Sequence, residues 1–515
     1  MVAGWLPLLI SPVRAKELDG DIRQITVWSK QLYTASGKND ILLMRGYFQG
    51  ASWERPIPEA TWRRLELLGV TRTRLINFES GSSMQIDELT GKAEFDFSSL
   101  LAGLQDCKKF KLTPHIIVGQ LPQAALLNSE EGEKYGVRDW NKYEQYAYAF
   151  LKFITVEQGI HQADFEVANE PDINGASWLL PGKLRNGDTE MYRAYLQLYQ
   201  AWSHAANKIS KEHPELILRI GGPALTSYTF SFWKTNWGQE FIQDIAAQKL
   251  RLDFFSFHFY GNNAALTGQP AWGPYPRFPE QVAFFRDQLD KAGLSKVPIY
   301  LTEWGPSYVI SDAPEGIVNG NHVGAAWAAR FLREMAENRI DEGMALIFRD
   351  HVDANGAENW AWPSFLLSDG LTAKAFYNLS LMFMKLPDQR VQASAPSGAL
   401  GVIAGGNKRK VSVLVYNQNW NYPDSQESAV KERLQFRVAQ LPFNANRVHI
   451  TIYSIDANHG DAHGLYKQGR HLNQANTELC AVDEREAAVT NHTLTLNNVF
   501  IEPSSVMLLE ITSPN

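Results

Sequence analysis

The chain has 515 residues and a formal net charge of −7, with acidic and basic residues interspersed throughout. That length supports a large core and more than one domain, while the spread of Lys/Arg argues against nucleic acid or an anionic membrane as the main partner, the densest basic run, "GNKRK" at 406–410, reading as a solvated hairpin turn. The two cysteines, Cys107 and Cys480, give neither a disulfide framework nor a metal-ligand spacing, and no apolar run approaches the ~20 residues of a membrane span.

Residues 1–20 carry a short apolar stretch ending in small Ala15. This resembles the end of a secretory leader but lacks its basic segment. A leader remnant or an ordinary first strand both fit, so periplasm or secretion is suggested and the cytoplasm stays open. Residues 21–40 form an N-terminal segment, and "LDGDIRQITVWSK" (18–30), which runs into it, is read as an extra strand of a later sheet.

Eight strand-like runs follow, at 41–48, 71–77, 112–119, 164–170, 216–223, 252–260, 297–305 and 344–352. Helix-like stretches such as "YEQYAYAFLKFI" and "HVGAAWAARFLREMAEN" separate them. Mostly apolar strands suit a parallel sheet covered on both faces. Eight β-then-α units predict an α/β fold, a (β/α)8 TIM barrel over 41–388; a doubly wound sheet with extra strands is the alternative. From 389 to 515 the texture changes to short alternating strands with polar turns, among them "KVSVLVYNQNW" and "RVHITIYSID". That pattern predicts a C-terminal antiparallel β-sandwich accessory domain, whose expected role is to brace the barrel.

Polar residues at the C-terminal ends of barrel strands read as catalytic. The fourth run ends in Asn169-Glu170-Pro171, the seventh in Thr302-Glu303-Trp304, and the sixth carries His258 and Tyr260. Two carboxylates facing each other across a barrel mouth are the apparatus of glycoside hydrolysis. One must be ionised to act as nucleophile, and its charge helps to keep the other protonated as general acid. Asn169 could donate to a sugar hydroxyl, Tyr260 could hold the nucleophile, and His258 could contact sugar or carboxylate. Each motif alone also reads as structure: a strand-ending turn, a core histidine. Gly221-Gly222-Pro223 reads as a turn allowing close approach to ligand. There is no His-Glu-x-x-His, Gly-x-Gly-x-x-Gly or Walker loop, and "DANG" at 353–356 reads as a turn. No metal or cofactor is expected.

The motifs "FEVANEPD", "RIGGPA", "DFFSFHFYG" and "PIYLTEWG", together with "YSIDANHGDAHGLYKQG" at 453–469 and "LLSDGLTAKAFYNLSLMFMKLP" at 366–387, resemble glycoside hydrolase family 39, the β-xylosidases and α-L-iduronidases of clan A. The resemblance runs over residues 40–512. It implies a retaining enzyme with Glu170 as acid/base and Glu303 as nucleophile, and it matches Arg74 to the clan's arginine near the nucleophile. It also implies an oligosaccharide or glycoside partner, a β-xyloside or related pentoside. Three positions depart from the family pattern: Ala168 and Leu346 stand where the family has tryptophan, and Ile76 where it has histidine. By the resemblance all three lie where the family contacts the sugar in the cleavage subsite, so other sugars (arabinoside, galactoside, uronide), endo action, or glycan binding without turnover remain alternatives. Trp304 is an expected substrate-binding residue, and Trp360 and Trp362, in the loop after the eighth run, could supply a replacement stacking face or simply pack beneath that loop; 15 tryptophans in all suit flat sugar partners, although a large core also consumes them. Oligomeric state is open.

Overall fold

The computed structural model describes residues 22–33, 40–52, 55–76, 78–87, 89–119, 137, 139–173, 189–226, 237–261, 278–311, 313–352, 356–396, 398–418 and 430–513. The leader-like residues 1–20 and Asp353–Asn355 of "DANG" lie outside them.

Eight strands close into a parallel barrel: Gln49–Ala51, Arg72–Leu75, Thr113–Val118, Gln162–Val167, Ile217–Leu225, Phe254–Tyr260, Ile299–Gly305 and Glu342–Ala345. The eighth pairs in parallel with the first through Met344 and Ala345 against Gln49 and Gly50, which closes the ring. Helices pack outside, including Trp140–Lys152, Thr189–Glu212, Phe278–Lys291, His322–Glu337 and Ala375–Lys385. The barrel excludes the doubly wound alternative.

Two predicted strands need correction. Residues 41–48 are mostly the helix Asp40–Gly46, and the first strand is the three-residue Gln49–Ala51. Ile41 and Met44 are buried while Leu42 is exposed, a three-residue spacing that belongs to a helix face. The eighth run is split as well. Its barrel strand ends at Ala345, and Ile347–Arg349 leaves to pair with Ser364–Leu366 in a separate two-stranded sheet.

The sixth strand shows how the sequence builds the wall. In "FFSFHFY", Phe255, Phe257 and Phe259 pack outward on Phe241, Phe285, Phe278 and Phe331 of the helix layer. The alternate set, Phe254, Ser256, His258 and Tyr260, lies on the other face, with Phe254 stacked on Tyr300 at 4.6 Å.

The second body is one closed sheet of nine strands rather than two separate sheets. Its neighbours are antiparallel except where Arg23–Leu32 runs parallel to Glu432–Ala439. Arg23–Leu32 also pairs antiparallel with Arg390–Ser394, so the N-terminal segment is built into the C-terminal sheet. Ile25, Val413, Phe436, Ile450 and Leu509 meet in its own core. The opposite faces of its strands, through Leu414, Val506 and Leu508, merge with the barrel's core. Alternate residues of one strand thus serve two cores.

A charged clamp joins the two bodies. Arg390, on the second strand of the closed sheet, donates to Asp40 at 2.8 Å and Glu337 at 3.0 Å and lies 3.6 Å from the Tyr33 ring centre. Both side chains of the Arg390–Asp40 pair are buried. Arg390→Ala should therefore cost about 3–5 kcal/mol in denaturant unfolding, because it strips a buried carboxylate of its cation. The double change with Asp40→Ala should lose less than the sum of the single changes; a loss below ~1 kcal/mol for Arg390→Ala would show the clamp to be no stronger than a surface pair.

Candidate active site

The site is assembled at the C-terminal ends of the barrel strands, and the backbone aims its groups by departing from regular strand geometry. The fourth strand ends at Val167. Ala168 (φ +70°) and Glu170 (φ +49°) then both take left-handed conformations around Asn169. Non-glycine residues rarely adopt that conformation, and it persists where surrounding structure enforces it. Here the Ala168 N–H is held by the Val118 carbonyl at 2.7 Å and the Glu170 N–H by the Ala224 carbonyl at 3.0 Å. The neighbouring strands thus fix the turn that presents Asn169 and Glu170.

The seventh strand uses a bulge. Its register against the sixth shifts between Leu301 (opposite Phe257) and Glu303 (opposite His258). Tyr300 faces the interior, stacked on Phe254. Strict alternation would send Thr302 and Trp304 inward after it and put Glu303 outside. The extra residue reverses the phase. Glu303 enters the mouth, and Trp304 turns out between Phe331 (5.8 Å) and Phe376 (5.3 Å) of the helix layer. Trp304 is fully buried there and offers no face to a sugar, which corrects its expected binding role.

Arg74, on the second strand and 1% exposed, is the hub. It donates to Glu303 at 2.5 Å, to Glu166 at 2.7 and 3.0 Å, and to the Asn169 side-chain oxygen at 2.7 Å. Tyr260 donates to the other Glu303 oxygen at 2.8 Å. His258 Nδ1 lies 3.0 Å from Glu170 and 3.6 Å from Glu303. One carboxylate oxygen from each glutamate and a His258 nitrogen all lie within 4.8 Å of one another. Such a trio could ligate a cation, but Arg74 and Tyr260 already engage both oxygens of Glu303. The Glu170 and Glu303 side chains are 18% and 10% exposed, whereas Glu166 is sealed below them at 0%. Only the upper pair can reach a ligand.

Electrostatics separate the groups further. Burial pushes Glu303 toward the neutral form, but the charges of His258 and Arg74 and the hydrogen bonds from Tyr260 and Arg74 outweigh it, so its pKa is lowered. For Glu166, burial is likewise overcome by Arg74 and His115, which hold it well below the usual range. Burial pulls His258 down, yet Glu303 and Glu170 raise it overall. Burial, reinforced by the charges of Glu303 and Glu170, raises the Tyr260 phenol well above its ordinary value and keeps it a donor.

The remaining expected site residues fall elsewhere. Trp360 is 7% exposed and packs on His463 (5.2 Å) and Tyr466 (5.3 Å) of the second body, so it is a seam residue rather than a face over the mouth. Trp362 is half-buried, edge-on to His351 at 6.1 Å, and next to Pro363. A Cβ on Gly305 would stand 3.1 Å from Pro363 and 3.3 Å from Tyr260, which brings this loop to the mouth. Gly221-Gly222-Pro223 lies inside the fifth strand, not in a ligand turn. A side chain at Gly221 would meet the Phe254 carbonyl at 2.2 Å, so the close approach is to the next strand.

The motif reading missed the charged layers beneath the mouth. Glu166 and His115 lie 3.3 Å apart; below them Asp164 pairs with Arg72 and, at 2.7 Å, with Arg219. Burial would raise Asp164, but His115, Arg72 and Arg219 draw its pKa down to about 2. The signal was present as charge at every second residue of "DFEV".

Comparison with known proteins agrees with this geometry. The family model of glycosyl hydrolases family 39 matches residues 83–478. Among solved structures, a GH39 enzyme from Xanthomonas axonopodis pv. citri shares 19% identity with a TM-score of 0.72, covering 98% of this chain and 99% of that one. A monomeric β-xylosidase from Caulobacter crescentus CB15 shares 18% at a TM-score of 0.68, covering 96% and 100%. A glucosidase from Croceicoccus marinus shares 16% at 0.61, covering 96% and 100%. No curated protein sequence matches the chain significantly. With its family model spanning most of the barrel and much of the closed sheet, the chain belongs to glycosyl hydrolases family 39 and is a glycosidase acting on carbohydrate.

Proposed function

We propose that the protein is a retaining glycosidase in which Glu303 is the nucleophile and Glu170 the acid/base, acting on a β-xyloside or related pentoside. The observation that carries this is the approach of the two carboxylates, with oxygens within 4.8 Å. Retaining enzymes hold their carboxyl groups ~5 Å apart, whereas inverting ones leave ~6.5–9.5 Å for a water.

The roles follow from surroundings. Glu303 accepts from Arg74 and Tyr260, so it is ionised and aimed, as attack on the anomeric carbon requires. Glu170 lies toward solvent on the strained turn with His258 Nδ1 at 3.0 Å, a position suited to proton exchange with a leaving oxygen and then with water. Glu303 attacks while Glu170 protonates the departing oxygen; Glu170 then deprotonates the water that cleaves the glycosyl ester. Because Arg74 occupies the Asn169 oxygen, the Asn169 NH2 is left to donate to a sugar hydroxyl. The proposed catalytic domain spans 41–388 and the accessory domain 389–515. We read the closed sheet as a flattened sandwich, because residues from strands all round it share one core. Trp362 is the proposed stacking face.

Glu303→Ala should abolish turnover on every substrate. Glu170→Ala should retain the first step on dinitrophenyl glycosides, whose leaving group needs no proton, and lose it on natural glycosides. Equal loss on both would overturn the assignment, as would an inverted first-formed product by NMR. Nitrophenyl xyloside, arabinoside, galactoside, glucoside and uronide, compared by kcat/KM, test the substrate class, with the xyloside or arabinoside expected to lead.

Tyr260→Phe tests the electrostatics. Removing a donor to ionised Glu303 favours its protonated form and raises its pKa. The acidic limb of the kcat/KM profile should therefore move to higher pH, with a fall in kcat of up to about 10²-fold. An unmoved limb would show that Tyr260 does not hold the nucleophile's charge.

A further inference from the structure

Away from the catalytic mouth, a cleft of about 720 Å³ opens between the loop after the eighth barrel strand and the helix Ala462–Lys467 of the second body. We propose that this cleft is a second saccharide-binding site, taking a neutral oligosaccharide chain on the exposed face of Tyr466. The inference rests on the family's carbohydrate chemistry and not on the roles of Glu170 and Glu303.

Tyr466 is 53% exposed, yet its ring lies against buried Trp360, with centres 5.3 Å apart and planes 31° apart. Trp360 is backed in turn by His463. A lone surface tyrosine swings freely; one laid on a fixed indole keeps a flat face to solvent, which is what the apolar face of a sugar ring stacks on. The support is rigid on the barrel side too. Asn319 donates to the Ala361 carbonyl at 2.7 Å and Lys374 to the Trp362 carbonyl at 2.8 Å, pinning the loop just after Trp360.

The rim offers both donors and acceptors. Lys467 and Arg470 are exposed. Opposite them stand Glu358, which accepts from the Ser368 backbone and hydroxyl, and Asp369, which accepts from the Leu371 and Thr372 backbone N–H groups. Two cations face two carboxylates. Burial, aided by the nearby cations Lys467 and Lys374, lowers the His463 pKa, so that imidazole adds no charge near neutrality. A balanced rim with aromatic floor suits the mixed hydroxyls of a neutral sugar better than a uronate or sulfate. The volume lies within the ~300–1,000 Å³ usual for ligand sites. Three residue steps lead from Trp360 to Pro363 at the mouth, a reach of at most about 11 Å. The same loop therefore borders both sites.

The test is isothermal titration of the full-length Glu303→Gln protein, with and without Tyr466→Ala, using xylohexaose, cellohexaose and chondroitin hexasaccharide, with xylose as a mouth-sized control. Tyr466 is a surface residue, and circular dichroism checks that the variant is folded. At least one neutral hexasaccharide should bind, and Tyr466→Ala should weaken it at least tenfold; Arg470→Ala should weaken it several-fold. Xylose affinity should move less than twofold. Equal hexasaccharide affinities in the two chains, binding of none of the three glycans, or binding of chondroitin alone would overturn the proposal. Persistent hydrolysis by Glu303→Gln would refute the nucleophile assignment instead, because dependence on Tyr466 is read separately.

Discussion

The structure depends on one buried guanidinium. Arg74 sits in the barrel axis with two carboxylates and an amide oxygen around it. Desolvating such a cation costs several kcal/mol unless it is paired and its donors are satisfied. Glu166 from below and Glu303 from above supply that pairing. In the low-dielectric interior the attraction locks both glutamates into one geometry, so the upper one is ionised and aimed before any substrate arrives. The two carboxylates are thus held in place without any reorientation.

The hub works only because the layers beneath it are also charged and matched. His115 lies between Glu166 and Asp164, and Asp164 bridges Arg72 and Arg219. Each strand contributes a polar residue inward and an apolar one outward, so the barrel interior is an ionic column inside a hydrophobic sleeve. Such a column yields less stability than well-packed aliphatic layers of equal volume would. What it supplies is position: Asp164 is held by Arg72 and Arg219, and Glu166 and Glu303 by Arg74.

Two backbone irregularities convert that column into an active mouth. The left-handed pair at Ala168 and Glu170 turns the fourth strand's end over the barrel, and the bulge before Glu303 reverses the phase of the seventh. The closed sheet stabilises this from outside. Its strands send Leu414, Val506 and Leu508 into the core that also contains the barrel helices, and the Arg390–Asp40 pair fixes the approach. The seam it creates, with Trp360 under Tyr466, lies on the very loop whose Pro363 reaches Gly305 beside Tyr260.

Much of this was legible along the chain. Alternation in "FFSFHFY" and the repeat of strand and helix runs are local patterns, so the barrel and the mouth residues Glu170, Glu303, His258 and Tyr260 could be read from them. The seventh strand shows where local pattern stops. Glu303 and Trp304 are adjacent, and which one faces the barrel mouth depends on a single extra residue whose position is set by pairing with the sixth strand. Residues 41–48 were ambiguous because a short apolar run satisfies either period, and only burial of Ile41 and Met44 beneath neighbouring elements selects the helix. Trp360 likewise was assigned by packing against His463, more than a hundred residues downstream. The sequence by itself determined which groups could do chemistry and on which strands they sit, because side-chain type and periodicity are written locally. Tertiary structure decided their aim and their charge, because direction comes from strand register and ionisation from the Coulomb field of partners distant along the chain.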